Sequence, residues 1–318
     1  MSDEGTQTTR LSPDDAFSAL GSETRVRILR ELGAAEESLA FSELYERLDL
    51  SDSAQFNYHL DKLLGHFVHK VDDEYALASP GERVVEAILS GAVTDEPRLE
   101  RTATEQRCTD CDRRLEIEWQ NGSVEVYCPS CESRWDRSWG RVGGPVEADS
   151  GYMGRLPLPP AGLDGRSPTA VYRAAQTWAN LELVAVAAGL CPRCSATVTR
   201  DLSVCATHEG DDGVCSACES TFAVRLTAHC TNCIFSTGTG AAWGLLATPE
   251  LPAFLFEQGL NPLAPENPDH LDTVLNDYEE DIVSTEPFRA DFTFAVGDEQ
   301  LTLRVNRSLE VIDTPRRD

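Results

Sequence analysis

Ten of the eleven cysteines stand in C-x-x-C pairs, Cys108/Cys111, Cys128/Cys131, Cys191/Cys194, Cys215/Cys218 and Cys230/Cys233; the eleventh, Cys205, has His208 three residues on. Six pairs supply twelve ligands, the number that fills three tetrahedral centres with none left over. Two soft sulfurs separated by two residues can reach one ion from a single tight turn, which is the chemistry of zinc. Four such ligands close the coordination sphere and leave no position for water, so about three zinc ions are expected as structural supports and not as hydrolytic centres. Four thiolates also suit iron. A disulfide reading would strand one thiol and require an oxidising compartment.

These ligands need turns and strands to hold them. Cys108/Cys111 and Cys128/Cys131 bracket Leu115–Trp119, an Asn121-Gly122 turn and Ser123–Tyr127, a hairpin between two knuckles and hence a zinc ribbon over 104–139. The 190–236 stretch holds two centres whose pairing stays open. Joining neighbours gives Cys191, Cys194, Cys205 and His208, then Cys215, Cys218, Cys230 and Cys233, with short loop closures. A cross-braced order joins the first pair with the third and the second with the fourth. His229 reads as an ordinary strand histidine. Residues 140–166, with seven glycines and four prolines up to Gly165, read as a linker. Ser167-Pro168 then opens a connecting helix over 167–189, with Val171, Ala174, Ala175, Trp178 and Leu181 as the buried stripe. In the remainder, 237–318, helical pieces near Trp243–Gln258 are broken by Pro249 and Pro252. Another helix is capped at Asn267-Pro268, and the alternation Phe288, Phe292, Phe294, Val296, Leu301, Leu303, Val305 predicts a three-stranded meander. Glu279-Glu280-Asp281 reads as a solvated acidic face.

The N-terminal 95 residues contain no cysteine. Residues 1–10 read as a disordered tail, and Ser12-Pro13 opens a helix closed by Gly21. Two helical patterns follow, from Ser22 with Val26, Leu29 and Leu32 inward, and over 41–48 with Phe41, Leu44 and Leu48 inward. A third begins at Ser51 or Asp52, with Gln55 as capping-box partner. At about 100° per residue it turns Phe56, Leu60, Leu63, Leu64 and Phe67 to one side and Ala54, Tyr58 and Lys62 to the other. Residues 67–71 and 75–77 flank the polar turn Asp72–Glu74 as a pair of strands, and residues 81–90 return to helix.

Over residues 12–90 this pattern resembles the ArsR-type winged helix-turn-helix regulators. ALGSETRVRILREL is similar to their second-helix signature, and QFNYHLDKL stands where their recognition helix stands. The cysteine-rich remainder resembles the extension attached to such domains in haloarchaeal regulators. The resemblance implies an 11–95 winged helix-turn-helix, double-stranded DNA as partner, and a homodimer formed through the first helix and the helix at 81–90. Ser53, Gln55, Asn57, Tyr58, His59, Lys62, His69 and Lys70 are then the DNA-facing residues, since Gln and Asn can bond adenine bidentately in the major groove. The expected fold class is α+β, a winged helix-turn-helix followed by zinc-ribbon-type modules and a small C-terminal α/β meander.

The charge has the wrong sign for a polyanion binder: 27 basic residues against 54 acidic ones give −27. The only lysines are Lys62 and Lys70. An acidic, lysine-poor surface suits molar salt, where the Debye length is about 3 Å and self-repulsion is screened. Residues 53–71 escape the acidity, with Asp61 against Lys62 and Lys70 and with His59, His66 and His69. In high salt counterion release contributes little, so DNA affinity would come from base edges and shape. No apolar run reaches the roughly 18 residues of a membrane span and the start lacks a signal-peptide pattern, so a cytoplasmic protein is expected. No G-x-S-x-G, P-loop, G-x-G-x-x-G or deaminase zinc motif occurs, and an enzyme is not expected. The alternatives to a DNA-reading regulator are an adaptor whose zinc modules bind a partner such as the transcription machinery, and a repressor that senses metal or redox state.

Overall fold

The computed structural model describes residues 11–135, 137–138, 146–147, 149–209, 214–263, 265 and 268–315. The tail 1–10 and the cap residue Asn267 lie outside them. The chain divides into two compact units, residues 1–95 and 96–318. It is a mixed α/β chain with several antiparallel sheets.

The first unit runs α1 (Pro13–Leu20), α2 (Glu23–Ala34), β1 (Leu39–Ala40), α3 (Phe41–Leu48), α4 (Ser53–Asp61), β2 (Val68–Val71), β3 (Glu74–Leu77) and α5 (Ser79–Leu89). The Ser12 hydroxyl accepts from Asp15 N and the Asp52 carboxylate from Ala54 N and Gln55 N, so α1 and α4 each start on a side-chain cap. Ile28, Leu29, Leu32, Leu44, Leu48, Phe56, Leu60 and Leu63 close into one core with Phe67, Val68, Tyr75 and Val85. Ile28 takes a core place where Val26 had been expected; Val26 is only half-buried. The α4 pattern was read through Phe67, but the helix ends at Asp61 and Gly65 at φ +83° turns the chain so that Phe67 still enters the core. The β2–β3 hairpin closes through Asp72 and Asp73, both left-handed, and β1 adds a short third strand against β3.

In the second unit the strands β4 (Leu99–Arg107), β5 (Arg114–Gln120), β6 (Ser123–Tyr127) and, beyond the two-residue pair β7 (Arg137–Ser138) and β8 (Val146–Glu147), β9 (Tyr152–Pro157) form a sheet in the order β4-β5-β6-β9. This corrects the linker expected over 140–166. Tyr152–Pro157 pairs along β6, and Tyr152 is buried and tilted against Tyr127. Gly151, at φ +80°, has no room for a Cβ, which would fall 2.0 Å from the Cys128 carbonyl oxygen.

Helix α6 (Pro168–Ala187) starts on the Ser167 hydroxyl. Val171, Tyr172 and Ala175 pack on the first sheet, Leu183 and Val184 on the C-terminal core, and Val186 beside the second ribbon. The expected stripe is corrected at two positions. Trp178 and Leu181 face outward while Gln176, Ala179 and Asn180 are buried, because the helix is covered on more than one side and its polar Asn180 finds the Pro262 carbonyl. β10 (Val198–Val204), β11 (Val224–Cys230) and β12 (Ser236–Gly240) form the second ribbon sheet. A 3-10 turn, Ala241–Ala247, leads to α7 (Glu250–Glu257) and α8 (Pro268–Asn276). Pro252 does not break α7, since it sits in the first turn, where a missing N–H costs nothing. The meander has four strands and not three: β13 (Glu279–Thr285) precedes β14 (Phe288–Val296), β15 (Glu299–Val305) and β16 (Val311–Asp313). The acidic run Glu279-Glu280-Asp281 had masked β13.

Candidate metal centres

Four of the knuckles are built alike. The backbone N–H of the first cysteine donates to the carbonyl five residues on: Cys108 to Arg113, Cys191 to Ala196, Cys215 to Ser220 and Cys230 to Phe235, at 2.7–3.1 Å. In the first three, the residue after the second cysteine (Asp112, Ser195, Glu219) is left-handed at φ 57–58° and its N–H returns to the first cysteine's carbonyl. The turn also aims amides at sulfur: Arg193 N lies 3.4 Å from Cys191 Sγ, and Asn232 N and Cys233 N each lie 3.3 Å from Cys230 Sγ. The remaining pairs are held from outside, Cys128 N by the Gly151 carbonyl and Cys205 N by the Ala223 carbonyl, both at 2.8 Å.

The twelve predicted ligands assemble as three groups of four, with the ligand atoms of each group within 4.8 Å of one another. Cys108, Cys111, Cys128 and Cys131 form the first, with Sγ–Sγ separations of 3.6 Å (Cys108–Cys131) and 3.4 Å (Cys111–Cys128). The other two correct both expected pairings, because the order is nested. Cys191, Cys194, Cys230 and Cys233 form one cage, and Cys205, His208, Cys215 and Cys218 the other. Cys191–Cys233 and Cys194–Cys230 lie at 3.7 and 3.5 Å, and His208 Nδ1 lies 3.4 Å from Cys218 Sγ. A tetrahedron of Zn–S bonds near 2.3 Å has edges of about 3.8 Å, so these separations fit one ion per cage. All eleven cysteines are free thiols. His229, directly beside Cys230, belongs to none of the groups, as its strand reading implied.

The nesting follows from strand pairing. The β10–β11 register sets Val198 opposite Cys230, which carries the Cys191/Cys194 knuckle alongside the Cys230/Cys233 knuckle. The third cage occupies the connection between the same two strands, where the first ribbon has only Asn121-Gly122. Both ribbons also take a third strand after their second knuckle, β9 against β6 and β12 against β11. The second is thus the first with its hairpin tip replaced by a metal centre.

The thiols are arranged for shared charge. Amides from Glu209, then Ala217 and Cys218, bring Cys215 down to about 6 against the cost of burial. Burial, then the neighbouring Cys215 and Cys205 sulfurs, push Cys218 up to about 12. Cys230 is likewise brought to about 6 by the Cys233 and Asn232 amides. Cys215 and Cys230 are thereby poised as thiolates, the form that binds a metal cation. The residues present therefore support about three structural metal ions, held by soft donors with no open ligand position.

In the first unit, Ser53, Gln55, Asn57, Tyr58, Lys62, His69 and Lys70 are exposed, and His59 is half-buried. Tyr58 is 57% exposed, with the Lys62 Nζ 5.6 Å from its ring centroid. Two of these side chains are already engaged: Asn57 Nδ2 donates to Asp61 at 3.1 Å, and Lys70 pairs with Asp73 at 2.7 Å. Both are surface contacts, screened by solvent and readily exchanged. No helix among the described residues is long and apolar enough to cross a membrane.

The family profile described as a domain of unknown function, DUF7351, matches residues 105–311, and a second domain of unknown function, DUF7347, matches residues 13–88. No curated protein and no solved structure matches the chain.

Proposed function

The chain belongs to the DUF7351 family, whose profile spans more than half of its length, and we propose that it is a sequence-specific, DNA-binding transcriptional regulator of ArsR-like winged helix-turn-helix type, working in a salt-rich cytoplasm and carrying three structural zinc ions. The observation that carries this reading is the outer face of α4. A side-chain-capped helix buries Phe56 and Leu60 and presents Gln55, Asn57, Tyr58 and Lys62 to solvent, and the β2–β3 hairpin follows it with His69 and Lys70 exposed. That is the order of a recognition helix and its wing, and it coincides with the one stretch where a strongly acidic chain holds both its lysines. Zinc, in preference to iron, fits the third cage, whose donors are three cysteines and one histidine.

A homodimer is part of the proposal. Helix α1 buries none of its residues, its Phe17 is 75% exposed, and Leu89 and Val93 stand exposed at the end of α5. These two helices are the ones the ArsR resemblance assigns to dimer contact. The adaptor reading, in which the zinc modules bind a partner such as the transcription machinery, has only Ile234 beside the Cys230/Cys233 knuckle, and a single exposed apolar residue does not make an interaction patch. Metal or redox sensing gains nothing comparable, since the cages have no open position.

The test is selection of zinc-loaded protein on random duplex libraries in molar KCl, beside the Asn57→Ala/Tyr58→Ala variant. Recovery of a palindromic motif by the wild type, with affinity lowered by about 1–3 kcal/mol per lost base contact in the variant, is the expected result. Recovery of no motif by a folded, metal-replete wild type would overturn the DNA reading.

A further inference from the structure

Glu280 stands in the run read as a solvated acidic face, yet it is a half-buried carboxylate at the start of β13. Its Oε2 accepts from Ala223 N at 2.7 Å and from Val224 N at 3.2 Å. Those two residues form the far wall of the third cage. The Ala223 carbonyl accepts from Cys205 N, Val224 pairs with Val204 across the ribbon, and Cys218 Sγ lies 3.9 Å from the carbonyl of the preceding Phe222. Tyr278 stacks flat on Phe222, with centroids 5.5 Å apart and planes at 3°, and its hydroxyl is buried.

We propose that Glu280 is a positioning residue for the third metal centre, holding the Cys205/His208/Cys215/Cys218 cage closed by fixing the 222–224 backbone against which Cys205 and Cys218 are set. The mechanism is geometric. Three thiolates and a dication give the loaded cage a net negative charge, so a nearby carboxylate gains nothing by attraction to it. What Glu280 supplies is one oxygen that satisfies two buried amides at once, which binds the C-terminal sheet to the ribbon tip. The third centre thereby stands at the joint between the two: Cys205, His208, Cys215 and Cys218 would close around one ion, and Glu280 holds the strand behind them. Partners hydrogen-bonded directly to a ligand typically carry 10- to 100-fold in metal affinity, and Glu280, which reaches Cys205 through Ala223, is expected at the lower end of that range.

The experiment uses the full chain loaded with zinc, then with cobalt, and compares Glu280→Ala, Glu280→Gln and Asp291→Asn. Asp291 pairs with Arg304 at 2.7 and 2.8 Å on the opposite face of the same C-terminal sheet, one residue from Phe292, the strand partner of Glu280, and controls for general loosening of that sheet. Chelator competition reads the affinity of each ion, and the cobalt spectrum separates the histidine-containing third centre from the two all-thiolate centres. Glu280→Ala is expected to weaken only the ion of the third centre, by about 10-fold. Glu280→Gln should stay within a few-fold of wild type, because its amide oxygen can still accept from both N–H groups, and Asp291→Asn should leave the third ion untouched. An unchanged third ion in folded Glu280→Ala overturns the proposal. So does equal weakening by Asp291→Asn, which would make the effect one of sheet stability, and so does Glu280→Gln behaving like Glu280→Ala, which would remove the backbone route.

Discussion

The nested pairing can be tested by counting metals in paired cysteine variants. Cys191 and Cys233 lie 42 residues apart in sequence and 3.7 Å apart at sulfur. Two thiolates at that distance repel each other unless a cation lies between them, so the geometry is that of ligands to one cation. A structural zinc contributes roughly 10–16 kcal/mol at neutral pH, or about 2.5–4 kcal/mol per ligand by equal division. One Cys→Ser substitution should then lower the affinity of its own cage by about 100- to 1,000-fold. Under a chelator set between the intact and damaged affinities, wild type keeps three ions, one per cage. Cys191→Ser and Cys233→Ser each keep two, and the double variant still keeps two, because both lesions fall in the same cage. Native mass spectrometry gives the count directly. The neighbour-joined and cross-braced orders both place Cys191 and Cys233 in different cages, and each predicts a single remaining ion for the double variant. One retained ion in a folded Cys191→Ser/Cys233→Ser protein would therefore refute the reasoning from sulfur distances.

Three further outcomes are expected. Gly151→Ala should weaken the first cage and leave the other two intact in the same chelator assay, since its Cβ would meet the Cys128 carbonyl at 2.0 Å and break the Cys128 N–H bond to residue 151. Phe56→Ala should destabilise the first unit by about 3–5 kcal/mol in urea titration, since Phe56 is fully buried and meets Phe41 edge-on at 4.9 Å. Burial raises the Glu182 carboxyl against the pull of Arg193 and Trp178, so the folded state holds this proton more tightly than the unfolded chain. Stability is then lost as pH rises past the ordinary value of 4.5, and Glu182→Gln should melt higher than wild type at pH 7, with the gap narrowing as pH falls toward that value.

Much of what is local was legible without the fold. The C-x-x-C spacing, with Cys205 and His208 at the same separation, named all twelve ligands because two donors separated by two residues reach one ion from a single turn, and in four of the six pairs that turn is closed by a hydrogen bond between residues five apart. The Asn121-Gly122 turn named the first hairpin because both residues take positive φ there. The 3.6-residue period named Phe56, Leu60 and Leu63 as core, although it ran α4 past Asp61, where Gly65 and the approach of β2 end the helix. Glycine and proline content, by contrast, misread Tyr152–Pro157 as linker. Composition registers the turns around a strand and is blind to the β6 edge that captures it.

What remained belongs to contacts distant in sequence. Loop closure favours joining neighbouring pairs, but its cost grows only with the logarithm of length, and the seven residue pairings of β10 with β11 outweigh it and nest one cage inside the other. Trp178 and Leu181 were assigned inward by a helical period that knows one buried face, whereas α6 is covered from several sides. Glu280 was one acid among 54, and only the docking of β13 against Ala223 and Val224 turned it inward. The sequence by itself determined which residues carry the chemistry, since spacing within a turn or a helix face is a property of the local chain. Which of them share an ion, and which carboxylate backs them, was decided by strand registers that exist only once the sheets have formed.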